Sequence, residues 1–143
     1  MMKSRRMSGV TLLEIMLVLA VAAMVIVMSI RYYRNATNSQ NSNVIIQQIN
    51  AMVTASEQIA QGVGGSFASV TATNISAITG FTTTPYNTTY TVTGASATGY
   101  TIGTGTLPTQ VCNQVASSIG TANPKIAATC SSGAVSVVYN STL

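Results

Sequence analysis

The sequence contains no histidine, no aspartate and no tryptophan, and its only side-chain carboxylates are Glu14 and Glu57. General acid–base catalysis draws on histidine or paired carboxylates, and metal sites draw on clusters of His, Cys, Asp or Glu. Neither set can be assembled from this inventory, so no enzymatic activity, no metal and no cofactor are expected. An anchored enzyme would have to activate one of the many Ser, Thr or Tyr hydroxyls with Glu57 as its base. Cysteine is scarce as well. Cys112 and Cys130 are the only two, and they are too far apart in sequence for the two-residue spacing of dithiol oxidoreductases.

Charge is equally sparse. Lys3, Arg5, Arg6, Arg31, Arg34 and Lys125 stand against the two glutamates, a net +4 over 143 residues. Three of the six cations fall within the first six positions, which leaves no basic patch to displace counterions from a nucleic acid. No nucleic-acid partner is expected. The length suits a single core rather than a multidomain protein.

What the sequence does have is one long apolar run. Every residue from 15 to 28 is apolar, and widening the window to 10–30 admits only Thr11, Glu14 and Ser29 as polar interruptions. As a helix this segment spans roughly 32 Å, the hydrocarbon thickness of a bilayer. Lys3, Arg5 and Arg6 before it outnumber Arg31 and Arg34 after it, which orients the N-terminus toward the cytoplasm. A cleaved secretory signal fits poorly: the run is too long, and Ala20, Ala22 and Ala23 sit in its middle instead of past its end. Tyr32 and Tyr33, between the two arginines, read as an interfacial belt.

Glu14 is anomalous in that setting. A carboxylate inside a spanning segment opposes insertion by up to roughly 2.5 to 3.5 kcal/mol and is usually functional and paired. No Lys or Arg lies within a helical turn of it. A cation would become available if the chain were cut just before the span, exposing a new α-amino group.

The run Lys3-Ser4-Arg5-Arg6-Met7-Ser8-Gly9-Val10-Thr11-Leu12-Leu13-Glu14-Ile15 resembles the class III signal of type IV prepilins, with its basic leader, cleavage-point Gly, apolar first mature residue and Glu at the fifth mature position. The resemblance implies cutting after Gly9 by a prepilin peptidase, N-methylation of Val10, and a role for Glu14 in assembly. It also implies polymerisation of identical subunits into a helical filament with the inner-membrane pilus machinery as partner. The precursor would lie in the inner membrane with its head in the periplasm, and the product would be an extracellular pilus supporting adhesion, aggregation or DNA transfer. In the filament Glu14 would pair with the Val10 amine of a neighbour. Such a desolvated pair has small net worth but is severe to break.

From 10 to 61 the chain lacks Gly and Pro, and apolar residues recur at Ile45, Ile49, Met52, Val53, Ile59 and Ala60, one face of an α-helix. A continuous helix there would be roughly 78 Å long. Gly62, Gly64 and Gly65 end it, while the Asn-, Ser- and Gln-rich stretch 35–43 is where a bend or melted turn is expected. Beyond Gly65 the composition shifts to Thr, Ser, Gly and Asn. Residues 82–87 read as a loop, 88–93 as a strand, 94–99 as a turn and 100–102 as the returning strand. Pro108 opens a short helix with Val111, Val115 and Ile119 on one face, and 134–139 form a last strand. The expected fold is α+β, a long N-terminal α-helix packed against a small antiparallel β-sheet head. Its divisions are a leader 1–9, a transmembrane or fibre-core half-helix 10–30, an amphipathic half-helix 31–61 and a globular head 62–143.

That topology places Cys112 and Cys130 outside the cytoplasm, where a disulfide persists, and their position resembles the C-terminal disulfide region of type IV pilins. A bond closing that loop adds about 3 kcal/mol on the chain-entropy model. Val10 in place of Phe, the lack of Pro in the membrane half and the Asn/Gln-rich 41–50 stretch look like the IVb group, although the nine-residue leader and small head depart from it. Type II secretion pseudopilins share the leader and Glu. Their major subunit binds calcium through acidic head residues, and this head has none beyond Gly65. A minor pilin or tip adhesin is the alternative role. Asn-x-Ser/Thr sequons begin at Asn35, Asn74, Asn87 and Asn140, as expected in so Ser/Thr-rich a chain.

Overall fold

The computed structural model describes residues 11–142, in two units that meet between Thr37 and Asn38. The first is helical from Leu12 onward, the start of α1 (Leu12–Gly62). Two of its aliphatic hydroxyls bond within the helix: Ser29 Oγ donates to the Val25 carbonyl at 2.8 Å and Thr37 Oγ1 to that of Tyr33 at 2.9 Å. No turn of α1 is melted at 35–43: helical hydrogen bonding runs through the stretch. Polar side chains there return their bonds to the helix's own carbonyls, as Ser42 Oγ does to Asn38 at 2.8 Å, instead of pulling the backbone out of it.

The second unit holds the rest of α1 and an α+β head. The head runs through a 3₁₀ turn (Phe67–Ser69), α2 (Ala72–Thr79), β1 (Thr91–Thr93), β2 (Gly99–Gly103), α3 (Thr109–Ala122), β3 (Ile126–Ser131) and β4 (Ala134–Asn140). The strands form one antiparallel sheet in the order β1-β2-β4-β3. α1 stops where its glycines begin. The Gly65 N–H reaches back to the Ala60 carbonyl at 2.7 Å, and Gly64 and Gly65 have φ of 76° and 90°, a region open to glycine without strain.

Burial follows the periodicities. On α1 the covered face is Ser42, Ile45, Ile49, Met52, Val53, Ser56 and Ala60. On the strands it is every second residue: Tyr100 and Ile102 on β2, and Val135, Val137 and Tyr139 on β4. α3 contributes Val111, Cys112, Val115 and Ile119 to the same core. Each fully buried Ile or Val adds roughly 1.5 to 3 kcal/mol over leaving it in water. The opposite face of the sheet, with Thr93, Thr101 and Val138 in register, stays accessible.

Three elements stand beyond those expected from sequence. α2 is capped by Thr71, whose Oγ1 accepts the Asn74 N–H at 3.2 Å, and closed by Gly80 at φ 75°. β3 is built of small residues, Ala127, Ala128, Thr129 and Ser131 among them, and takes its place by pairing with β4. The 3₁₀ turn delivers Phe67 to a ring cluster with Tyr100 and Tyr139, at centroid distances of 5.5 and 5.0 Å. Tyr100 and Tyr139, cross-strand partners, stack at 5.2 Å.

The head's tyrosines also bind α1. Tyr86 donates its hydroxyl to Asn38 Oδ1 at 3.0 Å, Tyr90 to Gln48 Oε1 at 2.8 Å and Tyr139 to Glu57 Oε1 at 3.2 Å, while the hydroxyls of Tyr100 and Ser56 bond each other. Among the described residues no buried side-chain polar atom lacks a partner. Burial raises Tyr90, Tyr100 and Tyr139 above the ordinary phenol value, and the Glu57 carboxylate pushes Tyr100 and Tyr139 the same way. The folded state therefore keeps protons that the unfolded chain gives up above about pH 10. The stabilisation from these phenols is complete below that pH and is lost as pH rises beyond it. In an alkaline titration their phenolate absorbance should appear together with loss of the circular dichroism of the sheet. Ionisation of all three with the sheet intact would contradict this.

Candidate functional site

Gly9 and Val10 lie outside the described residues. Glu14 is in the first turn of α1. Its N–H bonds the Thr11 carbonyl at 3.0 Å and Thr11 Oγ1 at 3.3 Å, so Thr11 caps the helix. Thr-x-x-Glu before an apolar run is the sequence signature of a capping box, and positions 11–14 carry it, a signal distinct from the membrane setting of Glu14. A negative charge at this end also complements the helix dipole. Thr11 starts the helix through the Glu14 backbone, and the Glu14 carboxylate stands at the helix end that favours its charge.

Around and beyond Glu14 the surface is unusual for a water-soluble protein. The large apolar side chains from Leu12 to Ile30 are between 48% and 76% exposed, and none is buried. They occupy every side of the helix. A helix apolar all round is stable only when enclosed by protein or lipid, and this one is long and apolar enough to cross a membrane. Polar groups inside the segment fit that solvent: Ser29 is tied to its own backbone, and Glu14 is at the end of the run, where a charge is least unfavourable. Arg31, Tyr32, Tyr33 and Arg34 follow, all exposed.

In the second unit Cys112 of α3 and Cys130 of β3 form a disulfide with a Cα–Cα distance of 5.7 Å. Cys112 is fully buried and Cys130 half-buried. The bond ties α3 to β3, an edge strand of the sheet. The head also has a hollow of about 150 Å³ lined by Met52, Ala72, Ser76, Phe81 and Tyr90, below the size of an ordinary small-molecule pocket. Of the sequon asparagines in the head, Asn74 spends its side-chain N–H on the Ser69 carbonyl at 3.0 Å, and Asn140 accepts from Thr142.

The residues with a direct claim to function are therefore divided. Glu14 and the bare apolar helix belong to the first unit, the disulfide and the sheet to the second. No protein-family model matches the sequence, and no curated protein and no solved structure matches it either.

Proposed function

We propose that the chain is a structural subunit of a type IV pilus. It enters the inner membrane as a precursor, loses residues 1–9 after Gly9, is N-methylated at Val10 and polymerises with identical copies through its apolar half-helix. The observation that carries this reading is the stretch of α1 from Leu12 to Ile30, apolar on every side and exposed, with a single carboxylate in its first turn. Lipid satisfies the apolar surface before assembly, and neighbouring copies of the same helix satisfy it afterwards. Glu14 then takes the N-terminal amine of a neighbour, a contact whose worth is register, since a desolvated ion pair adds little net stability. The head faces away from the fibre axis, its disulfide suited to an oxidising space. Catalysis has no part in this scheme.

The test is to shear surface fibres from the native cell and measure the intact and N-terminal masses of the dominant protein. A chain beginning at N-methylated Val10 and dominating the fibre is the expected result. The same processed chain present only in traces makes it a minor subunit. An uncut chain retained in the membrane overturns the proposal.

A further inference from the structure

Past the apolar segment the chain carries four charged side chains, Arg31, Arg34, Glu57 and Lys125. Arg31 and Arg34, three residues apart on α1, share one helical face and are both exposed. Neither has a carboxylate within four residues in the sequence, so the ion pairs available on a helix surface are closed to them. Glu57 is the only side-chain carboxylate beyond Glu14. It is half-buried, and the Tyr139 hydroxyl donated to its Oε1 at 3.2 Å fixes its orientation. A carboxylate has about four acceptor sites, so this one bond leaves room for a further donor.

Resting on the filament reading above, we propose that Glu57 of one copy receives the Arg31 and Arg34 pair of a second copy, and that this contact sets the order of neighbours in the fibre. Any ion pair between side chains of two copies outside the apolar segment has to use Glu57, because the chain offers no other acidic side chain there. Two planar guanidinium forks on one face suit a carboxylate better than the single ammonium of Lys125. A surface otherwise almost free of charge gives few competing pairings, which is where electrostatic complementarity is most specific. The donor and acceptor patches are different parts of the chain. One such contact is heterologous and leaves an unused patch at each end, so it propagates.

Full-length chains bearing Glu57→Lys, or Arg31→Glu with Arg34→Glu, are expressed separately and together in fibre-forming cells, with Cys112–Cys130 bond formation as the folding control. Each variant alone should lower sheared fibre by about tenfold or more, through like-charge juxtaposition. Expressed together they should recover fibre to within about threefold of wild type, with both chains present in equal amounts, because each supplies the sign that the other has inverted. Glu57→Gln, which preserves an acceptor for Tyr139, serves if the lysine variant does not fold, and it too should reduce assembly. Wild-type assembly by either charge-reversed chain alone, or no recovery on co-expression, overturns the pairing. So does loss of the arginine variant from the membrane while Glu57→Lys assembles normally, which would assign the arginines to lipid phosphates. Absence of fibres from the wild-type chain would remove the filament reading itself and is distinguishable from all of these.

Discussion

Glu14→Ala is expected to remove surface fibres while the Cys112–Cys130 bond forms at the wild-type level and cutting after Gly9 proceeds. Deleting the carboxylate favours the membrane state by up to roughly 2.5 to 3.5 kcal/mol, so the variant should accumulate there. What it loses is the partner for a neighbour's amine in a dry fibre core, where breaking a pair costs about 3 to 5 kcal/mol, or roughly 150-fold to 5,000-fold in assembly equilibrium. The cap at Thr11 offers a competing explanation, because alanine also changes the third position of the capping box. Glu14→Gln separates the two. Glutamine serves a capping box as well as glutamate does, so it preserves the helix start while removing the charge. Fibre loss in both variants, measured as protein in the sheared fraction, assigns the effect to the charge. Recovery in the Gln variant assigns it to the cap, and normal fibres from the Ala variant would end the assembly role of Glu14.

Replacing Cys112 and Cys130 together with alanine has the next largest expected effect, this time on the head. The bond joins residues 18 apart, and releasing that loop in the unfolded chain removes about 3 kcal/mol. Small domains hold only about 5 to 15 kcal/mol in total. At about 4 to 8 °C per kcal/mol for a domain of this size, the melting temperature of the double variant in detergent should fall on the order of 10 to 20 °C. A drop of only a degree or two, followed by circular dichroism, would show that packing of Val111, Val115 and Ile119 already holds α3 on the sheet without the bond.

Different parts of the molecule were legible to different degrees, for physical reasons. The covered face of α1 was written in the spacing of Ile45, Ile49, Met52 and Ala60, because an unbroken helix imposes one period on every residue in it. α3 was readable on the same ground, β4 as a short apolar run, and the pairing of β1 with β2 from a hairpin pattern. β3 was not, since its side chains are small and its conformation comes from pairing with β4 instead of from β-propensity. α2 lies in Thr- and Ser-rich sequence where a cap looks like a loop, and only Thr71 and Gly80 mark its ends. The continuity of α1 through 35–43 ran against composition, because whether Asn, Ser and Thr break a helix depends on where their side chains bond. Glu14 stood out at once from its setting, whereas the partnership of Glu57 with Tyr139, across 82 residues of sequence, had no local signature at all.

The tyrosine contacts have a mechanical consequence. Asn38, Gln48 and Glu57 accept the hydroxyls of Tyr86, Tyr90 and Tyr139, Ser56 donates to that of Tyr100, and the interlocked side chains of Ile45, Ile49 and Met52 lie among these bonds. Tension along α1 loads these attachments in shear, all at once, where peeling would load them one after another. Rupture then requires several bonds to fail in the same event. A head fastened in this way resists being stripped from its helix by traction far better than the modest strength of any one phenol–amide bond suggests.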